Sequence, residues 1–196
     1  LDMRMNPSVG ISAAEVIAEA EADHLQRIFR EYGEERWARR VAREIVAVRE
    51  RQPIETTLQL AELVSRVVPR VKGPQRIHPA TRVFQALRIY VNGELDSLRA
   101  GIDAATRRLK VGGRLVVISF HSLEDRIVKQ TFRALSVDCI CPPRLAVCAC
   151  GQKPVARVVT RKGVRATAEE VENNPRARSA VLRAMEKLAA EESHDV

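Results

Sequence analysis

The sequence predicts an α/β protein: an open sheet flanked by helices, carrying a separate all-helical segment over residues 12–69. Two observations predict it. Residues 12–69 hold helix-period apolar patterns punctuated by caps and prolines. After Gly112-Gly113 the period changes to the continuous apolar run Leu115-Val116-Val117-Ile118, which is followed by a new helix start. A short β-branched run bounded by glycine suits a buried parallel strand, and helix, glycine turn, strand, helix is the rhythm of an open α/β sheet.

Taken in order, residues 1–11 are short and irregular, with Pro7 and Gly10. Ser12 and Glu15 form a Ser-x-x-Glu capping box that starts a first helix. Asp23 and Gln26 suggest a cap for a second, stopped near Gly33. Trp37, Val41, Ile45 and Val48 line one face of a third, whose other face carries Arg36, Arg39, Arg40 and Arg43; Pro53 follows it. Thr56 and Gln59 cap a fourth, with Leu60, Leu63, Val64 and Val67 as its apolar face and Pro69 as its stop. A basic connector over 71–79 leads into one long helix from Ala80 to about Leu109. Beyond the buried run, Ser122 and Asp125 read as the capping pair of the next helix, with Ile127, Val128, Phe132 and Leu135 on its face. Val155 to Thr160 reads as a strand, Asn173-Asn174-Pro175 as a turn, and Ser179 to Leu188 as either strand or helix. The acidic last residues read as frayed.

The composition narrows function. Lys and Arg exceed Asp and Glu by 33 − 25 = 8 in 196 residues. Such an excess fits a polyanionic partner, nucleic acid foremost, although many basic proteins have no such partner. No apolar run approaches the ~18 residues of a membrane span, and no signal-peptide pattern opens the chain. The cytoplasm is therefore the expected compartment, with no membrane partner. Aromatic residues make up only 4%, which disfavours an RNA grip built from rows of stacked rings. The opening Leu1-Asp2-Met3 reads like the start of an internal piece of a longer protein.

Three places could carry chemistry. The first is the strand-to-helix elbow, where Ser119, His121, Ser122, Glu124, Asp125, Arg126 and Lys129 follow the buried run. Ligands of open α/β sheets bind outside the carboxyl ends of strands, and a helix start offers free amides. The plainer alternative is that Ser122 and Asp125 only cap and His121 only packs. The second is Arg76-Ile77-His78-Pro79-Ala80-Thr81-Arg82, two arginines and a histidine around a helix start, which suits a phosphate or is a solvated basic turn. The third is Cys139-x-Cys141 with Cys148-x-Cys150, all four cysteines of the chain. They could hold zinc, remain free thiols, or form redox-linked pairs; the tight spacing weakens the metal reading. There is no Gly-x-Gly-x-x-Gly turn and no phosphate loop.

Several blocks are similar to the signature of one family. They are Asp2-Met3-Arg4-Met5, Tyr32-Gly33-Glu34-Glu35-Arg36, His78-Pro79-Ala80-Thr81-Arg82-Val83-Phe84, Gly112-Gly113 through Lys129, and Asn174-Pro175-Arg176-Ala177-Arg178-Ser179-Ala180. In this order and spacing the chain resembles the RsmH (MraW) family of bacterial ribosomal RNA methyltransferases. The resemblance implies a Rossmann-like methyltransferase fold, here partial, interrupted by a small helical domain. The methyltransferase part would be 1–11 and 70–196, the insertion 12–69. Val155–Thr160 and Ser179–Leu188 would form an antiparallel pair closing the sheet.

It further implies methylation by S-adenosylmethionine of the N4 amine of a cytidine in 16S rRNA of the small ribosomal subunit. The main cofactor contacts would lie before Leu1, leaving an exposed strand edge and apolar faces. Asp2, Ser119 or His121 would accept a hydrogen bond from the amine. Arg4, His78, Arg82, Arg126 and Lys129 would hold RNA at the reacting centre, and Arg36, Arg39, Arg40 and Arg43 would grip it elsewhere. A homodimer is compatible with this reading. Two others stand beside it: a non-catalytic rRNA- or ribosome-binding remnant, and a zinc-stabilised module around the cysteines.

Overall fold

A computed structural model describes residues 1–69, 78–142 and 147–189. Arg76, most of the basic connector and the acidic end lie outside these residues. The chain divides into two compact units, Leu1–Glu94 and Leu95–Val196.

The first unit is helical. It holds α1 (Ala13–Glu19), α2 (Ala22–Glu31), α3 (Ala38–Arg49), α4 (Thr57–Val67) and α5 (Thr81–Asn92). The Ser12–Glu15 capping box starts α1, and Thr56–Gln59 starts α4, as their spacing predicts. The expected cap of α2 at Asp23 does not form. That helix begins earlier, after Glu21, which makes no side-chain cap. The core of the unit joins Ile17, Phe29, Ile45, Leu63 and Leu87, each at most 1% exposed. Each buried side chain of this size is worth about 1.5–3 kcal/mol. Trp37 departs from the expected stripe. It precedes the first turn of α3 and is 42% exposed.

This unit takes in more chain than 12–69, for two physical reasons. The α5 residues Val83, Ala86 and Leu87 are buried in the same core. Residues 1–5 are also stitched to it: Asn92 Nδ2 donates to the Met3 carbonyl (2.9 Å), and the Met5 N–H donates to Asn92 Oδ1 (2.7 Å).

The long helix expected from Ala80 to Leu109 is two helices. Gly93 takes a left-handed conformation (φ 57°) that ends α5, and α6 (Glu94–Arg108) follows. Glycine is the residue for such a C-terminal stop.

The second unit carries β1 (Arg114–Ser119), α7 (Ser122–Ala134), β2 (Ala156–Val158), β3 (Val164–Arg165), α8 (Ala168–Asn173), a 3₁₀ turn over Pro175–Ser179, and β4 (Val181–Lys187). Strand β4 pairs antiparallel with β1, β2 and β3. The antiparallel partnership of β2 with β4 agrees with what the family resemblance implies.

The expectation of a buried parallel β1 is corrected. Among the described residues its only partner is antiparallel β4, and its burial alternates. Leu115 and Val117 pack with Ile127, Val128, Phe132 and Met185, whereas Val116 and Ile118 are about half exposed (50% and 53%). That alternation is the sign of a sheet with one covered face. Glu186 bridges the strands, accepting from Arg114 (3.2 Å) and Arg157 (3.0 Å).

Candidate functional site

The carboxyl end of β1 runs directly into α7, and the elbow is held by a capping box one residue earlier than Ser122–Asp125. His121 Nδ1 accepts from the Glu124 N–H (3.4 Å). The Glu124 carboxylate accepts in return from the N–H groups of Phe120 (2.8 Å) and His121 (3.3 Å). An imidazole that accepts at Nδ1 carries its neutral-form proton on Nε2, and Nε2 lies 3.5 Å from Glu124 Oε1. His121 thus shapes the elbow. Ser119 is 2% exposed beneath it.

Asp125 does not cap. Its carboxylate takes a two-pronged pair of hydrogen bonds from Arg183 Nε (2.7 Å) and Nη2 (3.0 Å), fastening α7 to β4. Hydrogen bonding to Arg183, helped by the charges of Arg183, Arg165 and Lys129, holds its carboxyl below the ordinary aspartate value.

In front of the elbow lies an open cleft of about 540 Å³. Phe120, His121 and Ser122 line one side, Arg126 and Lys129 come from α7, and Arg165, Arg178 and Ser179 close it. Four cationic side chains thus surround one helix start, with Asp125 already committed to Arg183. The arrangement suits a phosphate or phosphodiester: the positive end of a helix and convergent cations favour an anion. It does not suit S-adenosylmethionine, whose sulfonium and ammonium charges would face those cations.

Arg126 and Lys129, expected from the sequence, are therefore brought together with His121. Arg165, Arg178 and Arg183 escape a reading of the sequence alone. A faint signal exists for two of them, in the basic runs Arg161-Lys162-Gly163-Val164-Arg165 and Arg176-Ala177-Arg178. Arg183 lies in the stretch whose secondary structure the periodicity leaves open.

Asp2, Arg4, the α3 arginines, His78 and Arg82 belong to the helical unit. Arg4 grips Asp2 through Nε (2.7 Å) and Nη2 (2.9 Å), and Nη1 donates to the Gly10 carbonyl (3.1 Å). The Arg4 hydrogen bonds pull the Asp2 carboxyl down to about 2, so it is a carboxylate at neutral pH. Arg36, Arg39, Arg40 and Arg43 are all exposed. His78 accepts at Nδ1 from the Ala80 N–H (3.2 Å), and Arg82 donates to the Glu34 carbonyl (3.2 Å). Both steady the entry to α5.

The cysteine sulfurs gather within 4.8 Å of one another. The backbone N–H groups of Ile140 and then Gln152 pull the Cys150 thiol down to about 6. At Cys139 the Cys141 N–H pulls the same way, but the Cys148 and Cys141 thiols push harder and the thiol rises to about 12.

Fold and site together define an α/β protein with a cationic cleft at a strand's carboxyl end and a helical unit that displays arginines. Among the described residues no helix is long and apolar enough to cross a membrane. Residues 1–188 match the model of the MraW methylase family. The chain is 61% identical over 188 residues to the ribosomal RNA small subunit methyltransferase H of Syntrophotalea carbinolica, covering 96% of this chain and 60% of that protein. For the protein of the same name from Symbiobacterium thermophilum the identity is 54% over 192 residues, 98% of this chain and 60% of the other. For that of Thermomicrobium roseum it is 55% over 189 residues, 96% and 57%. The chain thus spans about 60% of the length of the curated relatives it matches. The chain belongs to the MraW methylase family.

Proposed function

We propose that the whole protein methylates the N4 amine of a cytidine in 16S rRNA of the small ribosomal subunit, with S-adenosylmethionine as the methyl donor. The observation that carries the reading is the cationic cleft at the elbow, in a chain whose relatives are named as small-subunit rRNA methyltransferases. The residues of this cleft do not fit the cofactor, and their part in the reaction is on the RNA side alone.

Arg126, Lys129, Arg165 and Arg178 hold backbone phosphates of the RNA, whose target base must leave its stack to be reached. Arg36, Arg39, Arg40 and Arg43 on the helical unit supply a second electrostatic grip. The N4 lone pair is delocalised into the ring, so an acceptor must draw on the amine hydrogens as the new bond forms. Of the three candidate acceptors, Asp2 is chemically the best. Ser119 is buried. His121 uses its Nδ1 lone pair as a helix cap. Asp2 is ionised, about half exposed, and oriented by Arg4, which completes the group rather than gripping RNA. His78 and Arg82 likewise act by fixing the start of α5.

The assay is transfer of labelled methyl groups to small ribosomal subunits by the whole protein. Asp2→Asn keeps the shape and removes the charge. It is expected to lower kcat by ~10²–10⁴, the span of a positioned acid or base, with KM for the subunit little changed. Unchanged kcat would take Asp2 out of the reaction. Subunit binding without any transfer by the unmutated protein would favour the non-catalytic, ribosome-binding alternative.

A further inference from the structure

We infer that Cys139, Cys141, Cys148 and Cys150 form a tetrathiolate site for a single zinc ion, and that the ion ties residues 139–142 to residues 147–150 between α7 and β2. The inference is independent of the methyltransferase reading.

Geometry separates the three chemistries open to four thiols. A tetrahedral centre with Zn–S bonds of ~2.3 Å sets its sulfurs ~3.8 Å apart. Here Cys148 lies 3.5 Å from Cys139, 3.5 Å from Cys150 and 3.9 Å from Cys141, and Cys139 lies 3.9 Å from Cys150. The remaining separations are also within 4.8 Å. Two disulfides would divide the sulfurs into two close pairs with bonds of ~2.05 Å. Cys148 instead has two equidistant neighbours and no preferred mate. An iron–sulfur cluster interposes several atoms between its thiolates and holds them wider apart.

The surroundings suit a charged metal centre. The N–H groups of Ile140, Cys141 and Ala149 donate to the sulfurs of Cys150 (3.5 Å), Cys139 (3.4 Å) and Cys141 (3.4 Å). Such donors offset the negative charge that four thiolates place on one ion, as outer-shell partners of metal ligands do. All four tetrahedral positions are taken by protein, the arrangement of a structural and not a catalytic zinc.

Among the described residues, apolar packing does not order these two segments. The two ends of the stretch between α7 and β2 meet at the Leu135 carbonyl, which accepts from the N–H groups of Val155 (2.8 Å) and Ala156 (2.9 Å). Between them, Ile140 is 67% and Val147 is 77% exposed, so these apolar side chains build no core there. Metal binding would supply the free energy that apolar burial does not.

The test is metal analysis of this chain, expressed in zinc-supplemented medium and purified under reducing conditions. One zinc per chain is expected, as is a cobalt-exchanged form with the visible absorption of tetrahedral cobalt thiolate. Cys141→Ser should lower the zinc content and make the other thiols react faster with a thiol reagent, while circular dichroism reports whether the rest stays folded. Trace metal only, with four freely reacting thiols, would overturn the inference. So would an intact mass, taken on the protein as purified and before any chelator is added, that shows two disulfides and no zinc.

Discussion

Asp125 carries more of the second unit than its place in the sequence suggests. Its carboxylate and the Arg183 guanidinium meet in two hydrogen bonds of 2.7 and 3.0 Å, with both side chains mostly shielded. The folded-state pKa is depressed, chiefly by the Arg183 hydrogen bond. The stability it contributes is therefore present above the unfolded value near 3.8 and is lost as pH falls through the lower folded value. Asp125→Asn is expected to cost about 1.5–3 kcal/mol at pH 7, the range for a hydrogen bond to a charged group. The loss should shrink towards pH 3 in urea unfolding followed by circular dichroism. An equal loss at both pH values would mean that the charge is idle. The same residue marks a limit of sequence reading. Ser122 with Asp125 and His121 with Glu124 are both three residues apart, and only the second pair caps. Spacing finds the elbow, but the register within it depends on Arg183, 58 positions away.

Among the elements, helices α1 and α4 were legible because their caps and apolar stripes are local, and α3 and α7 through their apolar stripes alone. What escaped was set by distant partners or by a single backbone angle. Strand β3 is two residues long and exists through its pairing with β4. The alternating burial of β1 follows from cover on one face by Ile127, Val128 and Phe132 of α7, which its own run of β-branched residues does not announce. Gly93 divides a continuous apolar stripe because its φ is positive. Gly33 matters for a different reason. A Cβ there would lie 2.5 Å from the Arg82 carbonyl oxygen and 2.8 Å from that of Phe29, so the end of α2 and the start of α5 approach too closely for any side chain. Gly33→Ala is expected to destabilise the helical unit by about 1–3 kcal/mol, the cost of overpacking. A lower urea midpoint at unchanged slope would show it. An unaltered midpoint would mean that the two helices can separate at no cost.

For the whole molecule, the excess of 8 positive charges has two concentrations, the cleft of the second unit and the outward face of α3 in the first. The composition fits a polyanion, and Arg39, Arg40 and Arg43 of α3, with Arg36 just ahead of it, were readable as a row of arginines at helical spacing. The cleft was only half readable, because Arg165 and Arg178 reach it from segments far from α7 in sequence. Exposed cations bind RNA by displacing counterions, so the logarithm of affinity should fall linearly with the logarithm of salt, by ~0.7 per phosphate for single strands and ~0.9 for duplex. Replacing Arg126, Lys129, Arg165 and Arg178 by Gln should flatten the slope by up to ~3–4 if each meets one phosphate. Replacing Arg36, Arg39, Arg40 and Arg43 in the same way should flatten it separately, and the two losses should add if the grips are independent. Fluorescence anisotropy with a 16S rRNA segment across a salt series measures both. A slope untouched by the cleft variant would restrict that cleft to a small anion and leave the RNA grip to the helical unit alone. A slope untouched by the α3 variant would make its arginines a solvated face.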